Sequence, residues 1–180
     1  MTLPVQGERY SRASVAMHWI TVLCFVGIYA SILLTEEFAE GSRAGKLLFN
    51  THTSLGLLVC GLVWIRFFLL FKGSRPPIVP ALPAWQEKLG KAVHGCLYLM
   101  IIFMPLVGWA LLGTWGEPTR FFGLELPALL SADRPLSKWL KQIHELGGNT
   151  GYFLIGLHAA AGLFHHYVVK DNTLRRMWFR

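Results

Sequence analysis

The chain has 180 residues, 53% of them hydrophobic and only 15% charged, with a mean hydropathy of +0.44. A soluble domain of this length carries roughly a quarter charged residues, and here the deficit falls in four long apolar runs, which excludes an ordinary soluble enzyme. The net charge of +7 does not signal nucleic acid, because the basic residues flank the apolar runs.

About 20 mostly apolar residues are needed to cross the hydrocarbon as a helix. After a polar head from Met1 to Ser14, the first such span is Val15–Leu34. It has no small-residue cleavage site and carries His18, so a retained span rather than a cleavable signal peptide is expected. An acidic loop with Glu36, Glu37 and Glu40 leads to the second span, Leu55–Phe71. The following loop, Lys72–Lys91, contains Arg75, Pro76, Pro77, Pro80 and Pro83 and is expected to be extended. The third span, Gly95–Gly113, carries Pro105, a kink that neighbouring membrane helices accommodate. In the long loop Thr114–Asn149, Leu136, Trp139, Leu140 and Ile143 recur at helical spacing, with Lys138, Lys141 and Gln142 between them. That pattern predicts a short amphipathic helix at the interface, running into the fourth span, Thr150–Val169. No repeat or domain boundary is visible. Residues 1–180 are therefore expected to form one all-α domain, a bundle of four transmembrane helices.

With the N-terminus placed in the cytoplasm, Arg9, Arg12, Arg66, Lys72, Arg75, Lys88, Lys91, Lys170, Arg175, Arg176 and Arg180 all fall inside. Arg43, Lys46, Arg120, Arg134, Lys138 and Lys141 fall outside. This asymmetry favours two cytoplasmic termini. The three cysteines, Cys24, Cys60 and Cys96, lie inside spans without CxxC spacing, so neither a disulfide framework nor an iron–sulfur cluster is expected.

The chemistry rests on the seven histidines. Ionisable residues in membrane spans are costly and face the bundle interior, although any single histidine is equally well explained as an interhelical hydrogen bond. His144 and His158 are fourteen residues apart, hence on nearly one face and about 21 Å apart along the axis. Gly148, Gly151, Ile155 and Gly162 share that stripe. The three glycines either serve close helix packing or open a groove for a flat macrocycle. His52, at the outer end of span two with Gly56 one turn further in, is at the depth of His144. His18, near the inner end of span one, reaches toward His158 or, seven residues on, His165; spacing alone leaves this open, as it does a His94–His165 pair. Two bis-histidine sites stacked across a membrane suit two haems whose irons have no open position, which points to electron transfer. Zinc prefers three or four ligands with Cys or carboxylate among them. A proton relay would use intramembrane Asp or Glu, and the four spans contain neither.

Arg66 lies fourteen residues beyond His52, on the same face and at the inner depth. Its guanidinium either pairs with a haem propionate or snorkels to the inner surface. Lys138 and Lys141, upstream of His144, either steer a small anion to the outer site or are ordinary interfacial lysines. The outer segments carry as many acids as bases and one more, so any steering is local.

The motifs Tyr10-Ser11-Arg12, His18-Trp19 and His52-Thr53-Ser54-Leu55-Gly56, the His94–Trp109 segment, and above all Gly151-Tyr152-Phe153-Leu154-Ile155-Gly156-Leu157-His158-Ala159-Ala160-Ala161 resemble the bacterial di-haem cytochrome b561 family. The likeness continues through His165-His166-Tyr167 and Lys170-Asp171-Asn172-Thr173-Leu174 and covers essentially the whole chain. It implies a multi-pass protein of the bacterial inner membrane with two haem b groups, ligated by His18 with His158 and by His52 with His144, and quinone as an electron partner. One activity in that family is an oxidoreductase reaction, the oxidation of superoxide at the periplasmic face with reduction of ubiquinone. Related members instead serve as the electron-transfer subunit of a partner dehydrogenase or hydrogenase. The short loops leave little room for a large docking partner and favour the self-contained reaction.

Overall fold

The computed structural model describes residues 9–73 and 76–178. Arg75 and Arg180, used above for topology, and most of the polar head lie outside the described residues. Four long helices dominate: α1 (Arg12–Thr35), α2 (Arg43–Lys72), α3 (Ala84–Trp115) and α4 (Arg134–Phe164). Each is long and apolar enough to cross a membrane. The chain spells out their starts. Ser11 and Ser42 accept hydrogen bonds from the amides of Ser14 and Gly45, and Asp133 accepts from Leu136, so each satisfies one of the amides a helix start leaves orphaned. α3 stops at Gly116, whose φ of 77° suits a residue without a Cβ.

The helices run longer than the apolar spans. α3 begins at Ala84, directly after the last proline of its loop, so Lys88 and Lys91 are helical rather than extended; among the described residues of that loop, Gly73 and residues 76–83 avoid helix. The amphipathic segment around Trp139 is the opening of α4 itself and runs unbroken into the fourth span, because nothing between Arg134 and Phe164 breaks a helix. A feature not expected from the sequence is a small antiparallel hairpin, β1 (Thr119–Phe121) with β2 (Leu124–Leu126). It turns through Phe122 and Gly123, both at positive φ, the geometry that matches strand twist in a two-residue hairpin loop. Ser54 on α2 receives it, accepting from the Phe122 amide at 2.9 Å.

Packing is lopsided. α1 lies on α2, α2 on α3 and α3 on α4, whereas α4 hardly approaches α1 or α2. The buried cluster Cys24, Ile28, Val59, Val63 and Ile101 joins α1, α2 and α3. Gly27 allows the close approach of α1 to α2: a Cβ there would lie 2.6 Å from a Leu55 methyl. Meanwhile Leu23, Phe71 and Phe153 are 70%, 85% and 71% exposed. Such an apolar exterior belongs in lipid, where only internally bonded elements such as helices span. The three cysteines are free.

Candidate functional site

α4 stands off from α1 and α2, yet histidines reach across the gap at two depths. At the outer end, His52 on α2 and His144 on α4 have ring centroids 6.1 Å apart, with planes at 76°. At the inner end, His18 on α1 and His158 on α4 are 6.2 Å apart at 67°. A metal–imidazole bond is about 2 Å, and the ring centre lies about 1.1 Å beyond the nitrogen. Two imidazoles trans across one iron therefore have centroids about 6.3 Å apart. Both pairs match that spacing within about 0.2 Å.

The surroundings prepare the outer rings for the same task. His52 places Nδ1 3.0 Å from the Ile28 carbonyl. A carbonyl only accepts, so the proton is assigned to Nδ1, which fixes the ring and leaves Nε2 free as a ligand. His144 lies against Gly108 of α3, where a Cβ would come 3.0 Å from Cε1. Around the pairs, Gly56, Gly148 and Gly162 have nothing within 4 Å of where a Cβ would be. Of the stripe glycines, then, Gly148 and Gly162 border open space. Gly151 does not: it is buried, and a Cβ there would run into the Tyr29 hydroxyl. The stripe serves both roles weighed from the sequence, a groove at its ends and close packing at its middle.

The remaining histidines separate cleanly. His94 is 5.0 Å from His158, about 1.3 Å too close to share an iron with it in trans geometry, and its Nδ1 is held by the Gly90 carbonyl at 2.6 Å. His165 turns away in a short π-helical turn, His165–Val169, to meet Asp171 at 2.6 Å. A His94–His165 pair is not formed, and His158 rather than His165 faces His18. Among the described residues no three of His, Cys, Asp and Glu gather to hold a bare metal ion.

Arg66 is half-buried, with its guanidinium 5.6 Å from the Tyr98 ring centre. Among the described residues it makes no salt bridge, leaving its donors free for an anion at the inner site. The two lysines diverge. Lys141 is about 60° around the helix from His144 and reaches Glu145 at 3.6 Å, both side chains being more than half exposed, a pairing of little energetic worth. Lys138 is about 120° around and lines a shallow depression with Arg134, Pro135, Trp139 and Gln142, on the side of α4 away from His144.

Two features went unread in the sequence. The Asp171 side chain is wholly buried. Burial raises its pKa, but the hydrogen bond from the Thr173 amide at 2.7 Å and the contact with His165 outweigh that and hold it below the usual carboxylate range. Its place in the Lys170–Leu174 motif was the available signal. The other is Tyr29, which bridges α1 to α4 by donating to the Gly148 carbonyl at 3.0 Å.

The chain is similar to known proteins over nearly its whole length. A family model for prokaryotic cytochrome b561 matches residues 9–180. The chain is 39% identical to cytochrome b561 homolog 1 of Escherichia coli over 170 residues, covering 94% of this chain and 97% of that one. It is 36% identical to the probable superoxide oxidase CybB of Yersinia pestis, over 94% and 96% of the two chains. Similarity extends at 25% identity to cytochrome b562 of Cereibacter sphaeroides, over 96% of each.

Proposed function

Since the chain belongs to the prokaryotic cytochrome b561 family, integral inner-membrane proteins that bind haem b and exchange electrons with quinones, we propose that it carries two haems and passes electrons from superoxide to quinone. His52 with His144 hold the outer haem, His18 with His158 the inner one, and Arg66 pairs with a propionate of the inner haem. The observation that carries this reading is the repeated 6.1–6.2 Å spacing of imidazoles across helices that otherwise barely touch. Bound there, haem supplies a one-electron carrier at each depth.

The chain's own residues do the rest. Each imidazole pair would hold a haem with two protein ligands, a set suited to electron transfer rather than to binding oxygen. The Ile28 carbonyl keeps His52 in the ligating tautomer. With both termini in the cytoplasm, the His52–His144 pair faces the periplasm and Lys141 lies beside it. The relative from Yersinia pestis is named a probable superoxide oxidase, which supports superoxide as the reductant. The balance is two superoxide ions, each losing one electron to become dioxygen, against one quinone gaining two electrons and two protons.

Stopped-flow mixing of the oxidised protein with superoxide, with and without ubiquinone, tests this. Haem reduction is expected without quinone, and catalytic turnover with it. Failure of superoxide to reduce the wild type would transfer the protein to the class of electron-transfer subunits serving a partner dehydrogenase or hydrogenase.

A further inference from the structure

Between the two histidine pairs one side chain occupies the middle of the gap. Tyr29 lies eleven residues beyond His18, three helical turns on and within about 20° of the same face of α1. Phe25, seven residues beyond His18, shares that face and stacks on Tyr29 at 6.3 Å and 25°. On the opposite wall, Gly151 is seven residues from His144 and seven from His158, about 10.5 Å along the axis from each. Tyr29 reaches across to this midpoint. Its hydroxyl donates to the Gly148 carbonyl at 3.0 Å and rests where a Cβ of Gly151 would be. Its ring lies 4.0 Å from that of Tyr152, tilted by 37°.

Helices α1 and α4 have hardly any direct backbone contact, so something must hold them at the separation the imidazole pairs require. A wider gap would pull the ligands apart, and a narrower one would close the groove. We propose that Tyr29 is the mid-membrane strut of the cofactor groove: seated on Gly151, it sets the distance from α1 to α4 and so the spacing of both histidine pairs at once. The outer pair is included although His52 is on α2. α1 and α2 are tightly packed, and His52 is tied to the carbonyl of Ile28, the residue before Tyr29. Glycine at 151 then makes room for the phenol on one side and for the Met100 sulfur, 2.8 Å from where a Cβ would be, on the other. This inference rests on the two-haem reading and makes Tyr29 a positioning residue that touches neither iron.

The test uses low-spin ferric electron paramagnetic resonance of the purified holoprotein, whose lines report the geometry of each axial pair, alongside pyridine haemochrome counts. Tyr29→Leu removes the ring and is expected to shift both haem lines together. Tyr29→Phe keeps the ring, loses one hydrogen bond, and leaves both lines close to wild type. Gly151→Ala forces the hydroxyl out of its seat and shifts both. Combining it with Tyr29→Phe, which removes the oxygen that collides, and with Met100→Ala, which removes the sulfur 2.8 Å from the new Cβ, returns both toward wild type. A shift confined to one line, no shift in Tyr29→Leu, or no rescue in the triple variant overturns the strut. Should Gly151→Ala not accumulate, Tyr29→Leu against Tyr29→Phe decides alone. A wild type with fewer than two haems per chain overturns the two-haem reading and the strut with it, whereas two haems insensitive to Tyr29 overturn the strut only.

Discussion

Replacing His94 by alanine checks the inner site most sharply, because two imidazoles crowd His158. The separations are 6.2 Å to His18 and 5.0 Å to His94, against about 6.3 Å for trans ligation with bonds of about 2 Å. To place an iron between His94 and His158, each bond would have to shorten by about 0.65 Å, below any metal–nitrogen bond. His94→Ala should therefore keep two haems per chain. The loss of a neighbouring ring costs at most the 10–100-fold in affinity typical of groups around a ligand, which lowers retention without abolishing it. His18→Ala and His158→Ala should each leave one haem, and so should His52→Ala and His144→Ala, by loss of the other. The assay is pyridine haemochrome per polypeptide, with the variants purified side by side. One haem in His94→Ala, together with two in His18→Ala, would refute the pairing and the spacing rule behind it.

Gly108→Val should cost the outer haem alone, since even a Cβ at this position comes 3.0 Å from the His144 ring and valine brings two methyls more; retention of both haems would show that α3 yields there. Lys141→Gln should slow superoxide-driven haem reduction about twofold at low salt, because one charge about 8 Å away in water-like surroundings is worth about 0.5 kcal/mol. That difference should vanish as salt rises, while Lys138→Gln, on the far side of α4, matches wild type throughout; equal rates for Lys141→Gln and wild type at low salt would remove the steering. For Asp171 the folded pKa is depressed, so its contribution to stability is present above the unfolded carboxylate value of about 3.9 and is lost as pH falls through the lower folded value. Hydrogen exchange over residues 165–173 should accordingly quicken only below about pH 4 in wild type and be already fast at neutral pH in Asp171→Asn; protection unchanged in the variant would refute the role of that carboxylate.

The four spans, and the four histidines that the structure brings together in pairs, were legible in the sequence because both follow from one arithmetic, 3.6 residues per turn and 1.5 Å per residue. That arithmetic fixes which residues share a face, and in a membrane the apolar length fixes depth. It could not choose between His158 and His165 as the partner of His18. The choice depends on where α4 ends, and the π-helical turn that swings His165 onto Asp171 is set by a bond to a residue beyond the span. Lys138 looked equivalent to Lys141 for a similar reason. Both are close to His144 in sequence, and only the angle around α4 separates them. The hairpin was missed because its turn uses Phe122 at positive φ, an expensive choice that no turn composition announces. Ser54, buried among helices, holds it by a hydrogen bond between residues 68 apart.

Tyr29 is the more instructive omission, since the step that singled out Arg66, fourteen residues beyond His52, also places Tyr29 eleven residues beyond His18 on the same face. The sequence offered the position but not the reason to weigh it, because an aromatic residue in a membrane helix most often faces lipid. What distinguishes it is the scarcity of backbone contact between α1 and α4, a property of the assembled bundle. In most helical bundles small residues bring helices together, and the cofactor space is whatever remains. Here the tightest packing joins α1 with α2 and α3 with α4, α2 lies on α3, and α1 meets α4 chiefly through side chains that reach across the gap. The histidines span that gap at its ends and a phenol spans it at its middle. If that phenol is the strut, the spacing of the histidine pair at each depth depends on the other, and a change at the centre reaches both pairs.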